Sequence, residues 1–569
     1  MMARLLSRRA ALPQASDKAP ALRFAAHEAV AISNADELAC MKPGFVQSLS
    51  GRFQADALSS RLNPVLLEDG SIAIFALSDH VGSDQADELS RRIAHAGYKL
   101  AQPSRYVLSA PLLLAIGRHQ LTAQSLAGAA DINLHHTRTA LANAFQDIVE
   151  WGVRHGASDI HLNVHAGQAE SEVKFTVAGR YLAPERFRRL PTSTLVEMLS
   201  VAWMDIRGGN GAVFDPSIEQ QGSIVKRVGT ETVMLRWASL AADAGPSICL
   251  RILRRSADVA IPNLEALGYL PEQVRQIDRV MLSEGGAVVF AGTVGAGKST
   301  SLASLISRLP PQRKVITVED PVEYLIPGAI QNTLARNLDV AAHEVYGAKL
   351  RALKRSAMTD VLLGEIRDHE SGRAFMDLAG SGVNVYTTVH APSAALIAQR
   401  LSSDFIGVSP DFLSTPGVLK LLVFQVLLPV LCPHCALPAD HLLQGADHPG
   451  GGYRSGRLWA DWLQLIRSLY PGLPHAWRIR NPQGCPACAH AALPELHGYA
   501  GRSVAAELIE PAISPLPSRS AMDCAVSKGA AGTIDPRDIE VRFQAFETLH
   551  LASGTSEPAA GSARLRAVP

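Results

Sequence analysis

Apolar positions along this chain follow two rhythms, and the changes of rhythm outline its organisation. From Arg61 to Phe75 short apolar runs flank Asp69-Gly70, which predicts two strands around a turn. A helical pattern follows from Asp84 to Ala96. Leu141, Phe145, Ile148, Val149 and Val153 recur at helical spacing, and Gly156 is placed to end that helix. Strand-like runs come next at Ile160–Leu162, Glu172–Val177, Val233–Trp237 and Ile248–Leu253. After Ile261-Pro262-Asn263-Leu264 the pattern becomes strand–helix alternation, the mark of a parallel α/β sheet. Four apolar strands are expected there, reaching Ala291, Glu319, Glu365 and His390. The run Gly417–Leu431, interrupted by Lys420, Gln425 and Pro429, reads as a buried helix.

These patterns predict a tail over 1–50, partly disordered, and a small α/β module over 51–132. An α+β domain is expected over 138–256 and an α/β domain over 262–550, the latter holding a cysteine-bearing subdomain at about 430–505. A disordered Ser/Gly/Ala/Pro-rich tail is expected over 551–569. A chain of 569 residues has room for about three or four domains.

Composition narrows the function classes. With 47% hydrophobic and 19% charged residues and a formal net charge of +1, the chain reads as soluble and globular. It has no bulk charge to attract nucleic acid or lipid, so no direct nucleic-acid partner is expected. No run of about 18 apolar residues exists to span a bilayer. The N-terminal Arg4, Arg8 and Arg9 precede no apolar signal core, so a cytoplasmic location is expected.

The chemistry concentrates in Gly292-Thr293-Val294-Gly295-Ala296-Gly297-Lys298-Ser299, a phosphate-binding loop between an apolar strand and a helix-compatible stretch starting at Thr300. Its glycines let backbone N–H groups turn onto a polyphosphate, and the following helix N-terminus adds positive potential. Lys298 can reach the outer phosphates and the Ser299 hydroxyl can ligate Mg²⁺. Val361-Leu362-Leu363-Gly364-Glu365 is an apolar strand ending in a carboxylate that can hold Mg²⁺ through water or polarise the attacking water. Glu319, Asp320 and Glu323 add three carboxylates at another strand end, where Asp320 before Pro321 is biased away from helix. Such a cluster beside a triphosphate needs Mg²⁺ and Lys298 to offset its repulsion.

Of seven cysteines, four form two Cys-x-x-Cys pairs, Cys432/Cys435 and Cys485/Cys488. Two such pairs make a closed tetrahedral Zn²⁺ site, structural because four thiolates leave no open position; a redox disulfide within a pair is the other reading. His434 and His490 are read as bystanders.

Glu319–Tyr324, Gly364-Glu365-Ile366-Arg367-Asp368 and Thr387-Thr388-Val389-His390 follow the phosphate loop in order. With Gly156–His161 they resemble the motif set of the type II secretion and type IV pilus traffic ATPases, over about residues 138–510. The resemblance implies a RecA-like ATPase domain after a PAS-like α+β domain, binding ATP and Mg²⁺. It implies Glu319 as the group that activates water, Glu365 as support for Mg²⁺ and water, and His390 as a γ-phosphate sensor. It also implies a homo-hexameric ring working on a polytopic inner-membrane platform protein, with peripheral attachment to that membrane. Arg236 and Arg251 stand where such rings present arginines to a neighbour's nucleotide; each is equally readable as a strand-edge arginine with a local carboxylate. The cysteine pairs and Gly498-Tyr499-Ala500-Gly501-Arg502 resemble assembly-type rather than retraction-type motors.

The chain departs from the family at Lys174–Gly179, which lacks two arginines and an aspartate, and at Glu219–Gly222. These departures point to a divergent branch. The expected function is an ATP-hydrolysing motor for pilus or pseudopilus assembly. The alternatives are a conjugative transfer ATPase, or a catalytically weak, nucleotide-gated scaffold of the same machine.

Overall fold

The computed structural model describes residues 24, 28–32, 35–55, 58, 61–78, 80–108, 110–117, 130–254, 260–334 and 349–554. The expected tails therefore lie largely outside the described residues. The chain forms two units, one comprising residues 1–143 with 199–204 and 211–214, the other the remainder.

In the first unit, β1 (Val30–Ile32), β2 (Phe45–Ser48), β3 (Leu62–Leu67), β4 (Ile72–Ala76) and β5 (Leu100–Leu108) form one sheet in the order β1-β5-β4-β3-β2. Strand alternation explains its two cores. Ile72 and Ile74 face Ala86, Leu89 and Ile93, the last three on the helix Asp84–His95, whereas Ala73 and Phe75 face the core containing Leu112 and Ile116. The Asp69-Gly70 hairpin is present, with β3 antiparallel to β4. The stretch expected as a tail instead supplies β1 and β2. Strands of three and four residues are too short to show a rhythm in the sequence.

The second unit contains residues 144–154 of the helix Ala130–Arg154 and a sheet of β6 (Ala157–Asn163), β7 (Glu170–Val177), β8 (Arg180–Leu182), β9 (Leu190–Pro191), β10 (Gln221–Val228), β11 (Glu231–Leu240) and β12 (Ser247–Arg254). Its order is β10-β11-β12-β6-β7-β8, with β9 also on β7. Val233, Leu235 and Trp237 of β11 and Ile248 and Leu250 of β12 are fully buried. Trp151, from the helix, packs 4.3 Å from the Phe175 ring centre. The intervening residues, including Arg236 and Arg251, alternate to the other face, where these two arginines are direct cross-strand partners.

The third sheet runs β15-β14-β16-β17-β13-β18-β23, from β13 (Ala287–Ala291), β14 (Val315–Glu319), β15 (Ile330–Thr333), β16 (Asp360–Leu363), β17 (Asn384–Val389), β18 (Leu419–Leu431) and β23 (Tyr499–Ile509). All neighbours are parallel except β18 and β23. At the entry to β16 the buried Asp360 carboxylate accepts from Arg313 and from Tyr386 at 2.8 Å, which satisfies a charge that would be costly alone. The run expected as a buried helix is β18. It lies against β13 with most residues buried, so its near-continuous apolar character is that of an interior strand. Between β18 and β23 the chain forms two short ladders and the helix Gly456–Leu469, around Trp459, Trp462 and Trp477. The two ladders are β19 (Leu437–Pro438) with β22 (Arg478–Ile479), and β20 (Ala446–Asp447) with β21 (Tyr453–Arg454). Among the described residues no helix is long and apolar enough to cross a membrane.

Candidate functional site at the carboxyl ends of the parallel strands

β13 is buried along its length and delivers the chain into the loop Gly292–Gly297, after which the helix Lys298–Ser307 begins. Two glycines here are required by geometry. Gly297 caps the helix at φ +82°, a left-handed conformation that side chains resist. At Gly292 (φ +148°) a Cβ would come within 2.4 Å of the Gln425 carbonyl oxygen. Gln425, fully buried on β18, also holds the loop through its amide, which donates to the Ala296 carbonyl at 2.6 Å. Tyr269 Oη in turn donates to the Gln425 side-chain oxygen, Oε1, at 2.5 Å. Sequence reasoning took Gln425 as an interruption of an apolar run; a lone amide in such a run was the available signal.

Lys298 Nζ donates to the carbonyls of Gly292 (2.8 Å) and Thr293 (3.1 Å). Burial pulls its pKa down, against the opposing charges of Glu365 and Glu323. Ser299 lies at the start of the helix and lines the same cavity, as do Val294, Gly295, Ala296, Gly297 and Thr300. Thr300 Oγ1 is 2.8 Å from Tyr324 Oη.

The other strand ends deliver the carboxylates and the histidine. Glu319 closes β14, and Gln331 Nε2 donates to it at 3.2 Å. Burial raises the Glu319 pKa above its ordinary value. Glu365 follows β16 and lies 2.9 Å from His390 Nε2, while His390 Nδ1 is 3.1 Å from the Gly292 carbonyl. His390 therefore bridges the carboxylate beyond β16 and the first residue of the loop. Arg367 Nη2 lies 3.2 Å from Asp320.

Lys298, Glu319, Asp320, Glu365, Arg367 and His390 line one cavity of about 1230 Å³. The antiparallel sheet supplies another wall, including Arg236 and Arg251. Arg236 Nη1 donates to the Asp320 carbonyl at 2.9 Å, and Arg251 Nε lies 3.0 Å from Asp159. Two arginines opposite one another repel, so the row needs anions beside it. Arg502 and Arg542, which sequence reasoning gave no role, reach the same cavity. Arg542 comes from the helix Pro536–Arg542, and its Nη2 donates to Thr293 Oγ1 at 2.7 Å.

The four paired cysteines meet in a second cluster. Their Sγ atoms lie within 4.8 Å of one another, with Cys432–Cys485 at 3.8 Å, Cys435–Cys488 at 3.6 Å and Cys485–Cys488 at 3.8 Å. A tetrahedral ion with sulfur ligands at ~2.3 Å sets edges of ~3.8 Å, so the donor set fits such an ion. All four thiols are free. Burial disfavours the Cys488 thiolate, but N–H groups of Cys485 and Gly498 aimed at its sulfur, each at 3.2 Å, bring the thiol to about 7. Tyr499, next in the Gly498–Arg502 segment, donates to Asp538 at 2.8 Å and accepts from Arg180 of β8 at 3.0 Å. That segment thus connects the cysteine cluster, the antiparallel sheet and the helix carrying Arg542.

A family model described as type II/IV secretion system protein matches residues 136–519. Type II secretion system protein E of Klebsiella pneumoniae is 30% identical over 365 residues, covering 63% of this chain and 63% of that protein. The protein of the same name from Dickeya dadantii is 32% identical over 334 residues, 55% of this chain and 63% of that one. The type IV pilus assembly ATPase PilB of Thermus thermophilus is 32% identical over 356 residues, 62% of this chain and 35% of that protein. The chain therefore matches less than two thirds of the length of these relatives. Among solved structures, the Legionella pneumophila ATPase DotB aligns with 18% identity and a TM-score of 0.45, over 70% of this chain and 95% of that one. The matched stretch contains the phosphate loop, the carboxylate-bearing strand ends, His390 and all four paired cysteines, and the chain belongs to the type II/IV secretion system protein family.

Proposed function

We propose that this chain is a Mg²⁺-dependent ATPase that drives assembly of a type II secretion pseudopilus or type IV pilus. The observation that carries the reading is the convergence of Lys298, Glu319, Glu365 and His390, from four parallel strand ends, on one cavity. The names of its relatives, a secretion protein E and a pilus assembly ATPase, support the biological setting.

In this reading the parallel-sheet domain is RecA-like and the antiparallel one PAS-like. The loop N–H groups and the helix N-terminus hold the phosphates, and Lys298 exchanges its loop carbonyls for the outer phosphate oxygens. Ser299 and Glu365 would hold Mg²⁺, which neutralises developing charge on the phosphates. Glu319 accepts the proton of the attacking water, helped by burial that makes its carboxylate more basic. His390 shifts with Glu365 and Gly292 when the γ-phosphate leaves, which passes nucleotide state into the sheet. Arg236 and Arg251, on the cavity wall, face the phosphates of a neighbouring subunit in a hexameric ring. A polytopic inner-membrane platform protein receives the motion, and Cys432, Cys435, Cys485 and Cys488 hold a structural Zn²⁺.

The pH dependence follows from Glu319 with a definite sign. Its carboxylate works only when ionised, and burial has moved its pKa above 4.5. The acid limb of kcat/KM should therefore lie above pH 4.5, with activity falling as pH drops through the raised value. Phosphate release measured with and without Mg²⁺, from neutrality down to pH 4.5, tests both points. Metal-independent release, or a profile flat to pH 4.5 in folded protein, would count against the reading.

A further inference from the structure

Arg542 lies 249 residues beyond Thr293 in the chain, yet its Nη2 hydrogen-bonds the Thr293 hydroxyl at 2.7 Å. Its Nε is shielded from solvent and has no hydrogen-bond partner among the described residues. Burial alone disfavours its charge, with no opposing carboxylate to restore it among the described residues. The other arginines of the cavity wall differ: Arg251 has Asp159, and Arg236 and Arg367 share Asp320. A partly desolvated guanidinium without a counter-ion is costly, and the usual compensation is an anion. The location says which anion. Lys298 Nζ and His390 Nδ1 also rest on the Gly292–Thr293 segment, so three basic groups converge on the first two residues of the phosphate loop.

We propose that Arg542 is a phosphate-binding residue supplied within the same chain, which takes an outer phosphate of the bound nucleoside triphosphate beside Lys298. The inference rests on reading the loop as a triphosphate site. It makes the helix Pro536–Arg542 a direct sensor of occupancy. Asp538, one turn earlier on that helix, accepts from Tyr499 and lies 3.9 Å from Arg180, so movement of Arg542 reaches the cysteine cluster and the antiparallel sheet together.

The test is equilibrium binding of a fluorescent, non-hydrolysable ATP analogue with Mg²⁺ to the full chain. The proteins are the parent and its Arg542→Ala, Arg542→Lys, Thr293→Val and Lys298→Ala variants, with melting temperatures measured in parallel. Loss of a charged hydrogen bond to phosphate predicts about 10- to 100-fold weaker binding for Arg542→Ala at an unchanged melting temperature. Arg542→Lys should recover part of that loss, and Thr293→Val should lose less than Arg542→Ala. Affinity of Arg542→Ala within twofold of the parent would overturn the proposal, provided that Lys298→Ala binds weakly. So would a Thr293→Val loss equal to that of Arg542→Ala, because the arginine would then only hold the loop. If Lys298→Ala binds as the parent does, the triphosphate reading itself falls, and this proposal with it.

Discussion

Lys298→Ala is expected to lower ATP turnover by at least about 100-fold while leaving the fold intact. The side chain sits at a helix N-terminus and, among the described residues, hydrogen-bonds to two carbonyls of its own loop, so its removal costs little packing. Those same carbonyls show where the ammonium waits, beside the site of the outer phosphates. In water one lost charge contact is worth little, but here Lys298 is already partly desolvated, and its attraction to phosphate is correspondingly stronger. Steady-state phosphate release and a thermal melt on the same preparation make the check. Parent-like turnover in the variant would remove Lys298 from the chemistry, and a collapsed melt would show a structural role instead.

In the proposed reading of the cysteine cluster as a zinc site, loss of its zinc should have the second-largest effect, seen first as unfolding. A Cys₄ zinc site can contribute ~10 kcal/mol to folding of the segment that carries it. The cluster ties the end of β18 to the segment before β23, through Cys432 and Cys435 on one side and Cys485 and Cys488 on the other. β18 also carries Gln425, which holds the Ala296 carbonyl of the phosphate loop. Chelation, or Cys488→Ser, should therefore open residues 432–498 to protease and weaken nucleotide binding as a consequence. Elemental analysis should find one zinc per chain in the parent. A metal-free parent with the same protease resistance would refute the zinc assignment.

How much of this was legible in the sequence depended on whether the signal was local. The strand ends at or near Ala291, Glu319, Glu365 and His390 were readable because each closes a short apolar run. The runs Val233–Trp237 and Ile248–Leu253 were likewise readable as strands, and the structure puts Trp237 inside and Arg236 on the other face. Leu419–Leu431 failed because a strand buried on both faces has no alternation, and its 13 residues exceed ordinary strand length. Gln425 was hidden for the same reason, since its partners Tyr269 and Ala296 are brought to it only by the sheet order. Arg542 and Asp538 had no local signature at all; their meaning lies in distant contacts with Thr293 and Tyr499. The Gly498–Arg502 segment was visible as a motif, but its physical role was not. One glycine N–H points at Cys488, and the adjacent tyrosine joins Arg180 to Asp538.

The central claim is that the cavity hydrolyses the triphosphate that it binds, with Glu319 as the group that accepts the proton. The most direct measurement compares Glu319→Gln with the parent for both Mg–ATP affinity and phosphate release. The amide keeps the shape and the hydrogen-bonding reach of the side chain but cannot take a proton from water. Affinity within about threefold of the parent, with release lower by about 100-fold or more, is the predicted result. Release at the parent rate from Glu319→Gln would contradict the account.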